Sequence, residues 1–102
     1  MNQPYHRPVL VNEMLSFFEE KKLRFFLDGT VGAGGHAKAL LEKHGEIEKY
    51  FACDKDDVAL SIAKKTLEPW KDKVVFCKGS FTQIKFFLKE EKVAKIDGCL
   101  LI

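Results

Sequence analysis

Long hydrophobic runs are missing from this chain. No apolar stretch approaches the roughly 20 residues that a membrane-spanning helix needs, and no leader-type segment opens the sequence. Charge of one sign is not in excess either: 17 Lys and Arg against 15 Asp and Glu leave a net +2. Net charge therefore does not advertise a nucleic-acid partner, though it leaves room for a local basic face. Cysteine is sparse, at three residues, with no CxxC spacing and no His-rich cluster. That excludes a disulfide framework and offers no metal-ligand pattern. Cys53, Cys77 and Cys99 each lie within apolar runs and are expected to be buried free thiols in a reducing cytoplasm. Repeats, low-complexity tracts and linkers are absent, so the 102 residues form one domain, 46% hydrophobic and 31% charged.

What the chain does have is the stretch Phe25-Phe26-Leu27-Asp28-Gly29-Thr30-Val31-Gly32-Ala33-Gly34-Gly35-His36-Ala37-Lys38-Ala39-Leu40-Leu41. A short apolar run passes into a loop with four glycines and then into an amphipathic pattern, the order strand, tight turn, helix. Glycine lets backbone come close to a ligand, and the start of the helix points free N–H groups into the same space. This is the pattern of a nucleotide or nucleoside site.

Residues 1–22 read as a lead-in and a first helix. Tyr5 to Leu10 is extended, because Pro8 disfavours helix for the residue before it. Val11, Met14, Leu15 and Phe18 then fall at helical spacing. Residues 23–102 alternate between strands and helices. Strand one covers about Arg24 to Leu27, and a helix from near His36 to His44 stops at Gly45. Strand two, Tyr50 to Cys53, ends on Asp54. The next helix carries Ala59, Ile62, Ala63, Thr66 and Leu67 on one face and ends before Pro69. Strand three is Val74 to Cys77. Ser80 with Gln83 is a capping-box pattern opening a helix with Phe81, Ile84, Phe87 and Leu88. Ile96 to Ile102 is a fourth apolar strand. This alternation predicts an α/β fold, a Rossmann-like sheet of about four parallel strands flanked by helices.

In open parallel sheets, ligands lie off the carboxyl ends of the strands. Three groups meet there: the Gly32–His36 loop, Asp54, and Ser80-Phe81. An acid about 20 residues beyond the glycines suits the two hydroxyls of a ribose. Phe81 suits either an adenine ring or the core. His36 offers its backbone N–H at the loop–helix junction, and no acid–base role follows. Gly32-Ala33-Gly34-Gly35-His36-Ala37 also fits the dinucleotide pattern G-x-G-x-x-A, so NAD competes as the cofactor. Asp28 argues against it. A carboxylate at the tip of strand one would repel a pyrophosphate and favour a cationic amino-acid end. S-adenosylmethionine (AdoMet) has a ribose for Asp54, an adenine for Phe81, an ammonium for Asp28 and no phosphate. Asp28 has a second reading as a turn residue bonded to its own backbone.

His6-Arg7-Pro8-Val9-Leu10 with Glu13, Leu27 to His36, Asp54-Lys55-Asp56, Gly79-Ser80-Phe81 and Ile96-Asp97-Gly98 together resemble the amino-terminal region of the bacterial RsmH (MraW) family. Its members are ribosomal small-subunit RNA cytosine-N4 methyltransferases. The resemblance runs over essentially the whole chain, and Gly34, Gly35, His36, Asp54 and Phe81 match the family's AdoMet-contacting positions. It implies methyl transfer from the AdoMet sulfonium to the exocyclic amine of an accessible, unstacked cytidine in cytoplasmic small-subunit ribosomal RNA.

Family members continue from strand four into an Asp-Leu-Gly motif and an inserted helical domain, whereas this sequence ends at Ile102. The resemblance thus implies a methyltransferase half-sheet, truncated relative to the seven-stranded fold, with little independent activity and with AdoMet bound loosely or not at all. A bare fourth strand would favour self-association. No catalytic residue is named. His6 and Glu13 match the family's opening motif, but read equally as a lead-in hydrogen bond and an exposed helix acid. Two other functions stay open: a fragment of an NAD-dependent oxidoreductase, or a non-catalytic module binding RNA through Lys85, Lys89, Lys92 and Lys95. Glu90 and Glu91 interrupt that run, and a solvated helix face is its simpler reading.

Overall fold

The computed structural model describes residues 6–79, 83, 86, 88, 89 and 95–100, with side chains from residue 11 onward. Four strands form one sheet: β1 (Phe25–Asp28), β2 (Lys49–Asp54), β3 (Val74–Lys78) and β4 (Gly98–Leu100). All pairs are parallel and the order is β3-β2-β1-β4. The connections carry α2 (Gly35–Lys43) between β1 and β2, and α3 (Asp57–Thr66) with a 3₁₀ turn at Glu68–Trp70 between β2 and β3. A helix α1 (His6–Phe18) precedes the sheet. The expected α/β architecture, four parallel strands flanked by helices, is present.

Alternation along the strands divides the core into two layers. Phe26, Tyr50 and Ala52 point to one side, where they meet Met14 and Phe18 of α1, Ala37, Leu40 and Leu41 of α2, and Leu60 and Ala63 of α3. Leu27, Phe51, Cys53 and Cys77 point to the other, with Val75, Leu88 and Ile96 against them. Burial on both faces is why the central strands read as almost unbroken apolar runs. Asp97 fixes where β4 joins: its carboxylate accepts the Phe25 N–H (2.9 Å) and its own N–H donates to the Phe25 carbonyl (2.8 Å). Gly98 then runs directly over the Phe26 ring, where a Cβ would fall 2.8 Å from two ring carbons. Beyond β4, at the end of the sheet, no further strand lies among the described residues.

Three expectations are corrected. The segment from His6 to Leu10 is helical, not extended, because Pro8 falls in the first turn of α1, where a backbone N–H has no intrahelical acceptor to lose. On α3 the buried side is Leu60 and Ala63, continued by Leu67, whereas Ile62 is 46% exposed. Cys53 and Cys77 are buried free thiols, but Cys99 is exposed, on a strand that pairs only with β1 among the described residues. Ser80, Phe81, Ile84, Lys85, Phe87, Lys92, Leu101 and Ile102 lie outside the described residues. Ser80 of the expected capping box and two of the four lysines of the run, Lys85 and Lys92, therefore fall there.

Candidate functional site

β1 and β2 end side by side on carboxylates, Asp28 and Asp54, and the glycine loop leaves from the first of them. Four successive loop amides are bonded inward. Gly29 N–H donates to the Leu100 carbonyl of β4 (2.9 Å) and Val31 N–H to the Cys53 carbonyl of β2 (2.8 Å). Thr30 N–H donates to Asp28 Oδ1 (3.1 Å), and Gly32 N–H to Asp54 Oδ2 (3.0 Å). Both neighbouring strands thus hold the loop, and buried Val31 pins its middle in the core.

The glycines serve different ends. Gly32 (φ +56°) and Gly34 (φ +95°) both adopt left-handed backbone, which side chains other than glycine's resist. Gly34 also faces α3, where a Cβ would sit 3.3 Å from Thr66 Cβ and Cγ2. Its carbonyl accepts the Lys38 N–H (2.8 Å), which starts α2. Gly35 is the first residue of that helix and has open space where a Cβ would be. Since Gly34 offers no side-chain cap, the first N–H groups of α2 are left to whatever occupies the space beyond.

That space is an open cleft of about 510 Å³ lined by Thr30, Val31, Gly32, Ala33, Gly35, His36 and Asp54. The volume is within the ordinary range for a small-molecule site. Asp54 presents a half-buried carboxylate at one side. Besides the Gly32 N–H it accepts the Asp56 N–H (3.0 Å), and Asp56 in turn caps α3 by accepting from Val58 N–H (2.9 Å). Each Asp54 oxygen keeps acceptor capacity beyond its one bond, so the group can still take hydroxyl donors. His36 lines the cleft with Nε2 buried and unbonded, and burial lowers its pKa by disfavouring the charged ring. A second hollow of about 490 Å³ lies along α1 at Asn12, Glu13, Ser16 and Phe17. It brings no set of convergent polar groups together, and Glu13 is simply exposed there.

Of the residues singled out from sequence, Gly32, Gly35, His36 and Asp54 meet in the cleft. Gly34 stands behind it against α3, and Phe81 lies outside the described residues. Asp28 requires a correction. It is 1% exposed, with Oδ2 accepting the Tyr50 hydroxyl (2.7 Å) and Oδ1 the Thr30 N–H. Burial pushes its pKa up to about 6, opposed in part by those two bonds and reinforced by the charge of Asp54. The carboxylate lies under the loop as a turn residue, and does not face the cleft as a counter-charge for a ligand. Its charge therefore cannot decide between a sulfonium ligand and a dinucleotide. Sequence reasoning passed over Thr30 and Val31 as lining, and Tyr50 as the partner of Asp28. The strand register explains the pairing: Tyr50 lies two positions before Ala52, the register partner of Asp28, so both side chains share a face.

Among the described residues no cluster of His, Cys, Asp and Glu could hold a metal ion, and no helix is long and apolar enough to cross a membrane. Solved structures resemble the fold. The protein described as precorrin 8W decarboxylase of Methanobacterium thermoautotrophicum matches with a TM-score of 0.67 at 20% identity, over 89% of this chain and 46% of that one. The methyltransferase domain of bacterial CtHen1 matches with a TM-score of 0.59 at 16% identity, over 70% of this chain and 39% of that one. At such identities the likeness is one of fold. Sequence relatives are nearer. Ribosomal RNA small subunit methyltransferase H of Protochlamydia amoebophila is 50% identical over 82 residues, 80% of this chain and 26% of that protein. Its namesake from Thermotoga neapolitana is 40% identical over 97 residues, 95% of this chain and 32% of that protein. The chain thus spans about a quarter to a third of the length of these relatives. The profile of the MraW methylase family matches residues 3–101, taking in the glycine loop, both strand-end carboxylates and β4. With that match over nearly its whole length, the chain belongs to the MraW methylase family.

Proposed function

We propose that this chain forms the AdoMet-binding half-sheet of a methyltransferase acting on small-subunit ribosomal RNA in the cytoplasm, with N4 of a cytidine as the acceptor. The observation that supports it most is the cleft where Gly32, Gly35, His36 and Asp54 converge off the ends of β1 and β2. The relatives' names state the RNA substrate of those proteins, and the N4 position follows from the family resemblance. The donor set fits AdoMet at two ends. Asp54 suits the ribose hydroxyls, and the uncapped N-terminus of α2 suits a carboxylate. Asp28 does not meet the ammonium, because its carboxylate is buried beneath the loop and does not line the cleft.

When bound, AdoMet supplies a methyl group on a sulfonium that leaves as a neutral thioether. The described residues of this chain bind and orient. The loop amides hold the cleft's floor, and Asp54 fixes one side of it. A thermal-shift comparison tests the cofactor. Millimolar AdoMet is expected to raise the unfolding midpoint where NAD does not. A response to NAD alone, or no response to AdoMet, overturns the assignment. The RNA target has its own test: deleting the coding sequence is expected to remove N4-methylcytidine from small-subunit RNA, and its retention refutes that target.

A further inference from the structure

Tyr50 is fully buried, and a tyrosine there needs a partner for its hydroxyl. Its ring stacks on Phe26, with centroids 5.2 Å apart and planes 19° from parallel, so the aromatic body is part of the core. The hydroxyl reaches past Ala52 to the end of β1 and donates to Asp28 Oδ2 at 2.7 Å. The opposite oxygen of the same carboxylate accepts the Thr30 N–H. A phenylalanine would fill the core equally well. The hydroxyl therefore has one local consequence, exerted on Asp28. We propose that Tyr50 is a positioning residue for the cofactor loop: its phenol orients the Asp28 carboxylate, and that carboxylate holds the first turn of the loop through Thr30.

The functional part of this rests on the AdoMet reading, whereas the linkage from Tyr50 to Thr30 does not. Among the described residues, the titratable groups that interact electrostatically with Asp28 are Tyr50, Cys53 and Asp54 on β2 and Cys99 on β4, none of them a cation. A hydrogen bond from a neutral phenol is thus the chief side-chain contact favouring the ionised acid. Removing it leaves a buried carboxylate that takes up a proton more readily. A protonated carboxyl is a weaker acceptor for Thr30 N–H, and the loop turn loosens with it.

The test follows the Thr30 amide by NMR across about pH 4.5 to pH 8 in the ligand-free chain, beside AdoMet dissociation constants over the same range. In the parent chain the Thr30 signal is expected to titrate near pH 6, and AdoMet affinity to fall on acidification through that midpoint. Tyr50→Phe is expected to move both midpoints up by about one pH unit. Asp28→Asn abolishes both, and adding Tyr50→Phe to it changes affinity by less than about twofold. Unchanged midpoints in Tyr50→Phe overturn the proposal, as does an equal loss of affinity with and without the Asp28 carboxylate. A shifted Thr30 titration in a chain that shows no AdoMet binding refutes the cofactor role alone, and so separates the two readings.

Discussion

Three glycines within four residues invite the same substitution, and the structure assigns each a different outcome. Gly34→Ala places a methyl on backbone at φ +95°, which costs an L-residue about 1–2 kcal/mol. The methyl also meets Thr66 Cβ and Cγ2 at 3.3 Å and Ala63 Cα at 3.5 Å. Thr66 cannot swing away freely, because its hydroxyl donates to the Ile62 carbonyl (3.1 Å), a bond worth about 1 kcal/mol. The expected loss is therefore about 2–3 kcal/mol, a large part of a small domain's stability. Gly32→Ala meets no neighbour within 4 Å and bears only the backbone cost, about 1–2 kcal/mol. Gly35→Ala has neither penalty, and replaces glycine by the best helix former in the first turn of α2. It should stabilise the chain by about 0.5 kcal/mol. Yet Gly35 lines the cleft, so the same methyl should weaken AdoMet binding roughly tenfold or more. Urea unfolding of the three variants, followed by circular dichroism, gives the order, and calorimetry gives the affinities. A Gly34 variant as stable as the Gly35 variant refutes the packing argument. A Gly35 variant that is less stable, or that binds as the parent does, refutes the assignment of its face.

Other perturbations test other parts of the structure. The Asp28 pKa rises from 3.8 to about 6 on folding, so between those values the native state binds the proton more tightly than the unfolded one. Stability from this group is therefore present at low pH and lost as pH rises through about 6, by an amount of about 3 kcal/mol. Asp28→Asn removes that dependence: relative to the variant, the parent should lose stability between pH 4 and pH 7, and a flat or opposite difference would count against the buried acid. Gly98→Ala should destabilise by about 1–3 kcal/mol, because Phe26 and Leu23 at 2.8 and 3.0 Å are fully buried and have no room to yield. A change too small to resolve in urea titration would show that β4 can lift away from β1. Asp54→Ala should cost about 1 kcal/mol through the abandoned Gly32 N–H and weaken AdoMet binding more than tenfold, and unaltered affinity would remove Asp54 from the site.

The sheet was readable from sequence because its punctuation is strong. Glycine loops, Pro69 and near-continuous apolar runs mark every strand, and α2 differs from its expected span by one residue at each end. What escaped depends on direction and depth. Periodicity alone put Ile62 on the buried face of α3, but the helix is rotated so that Leu60 and Ala63 face β2 and β3. Pro8 was read as a barrier, although proline is tolerated at the start of a helix as well as outside it. For Asp28 the sequence shows an acid at a strand tip and says nothing of where its oxygens go. That was decided by a residue 22 positions away, Tyr50, whose hydroxyl has no other described use. Of the cleft, the glycines and Asp54 were legible because backbone geometry and strand ends are local properties. Thr30 and Val31 carry no distinctive chemistry and join the lining only through the shape of the loop.

Because the amides from Gly29 to Gly32 are already engaged with Leu100, Asp28, Cys53 and Asp54, the hoop they form is shaped when the sheet folds. An arriving ligand has little of this segment to freeze, and the entropy of ordering it is met before any encounter. The same wiring makes the hoop hostage to the strands. Two of its ties run to backbone carbonyls of β2 and β4, so parting either strand from β1 releases the rim of the cleft along with the ladder. Hydrogen exchange at these amides should then follow the opening of the central sheet rather than a local loop motion.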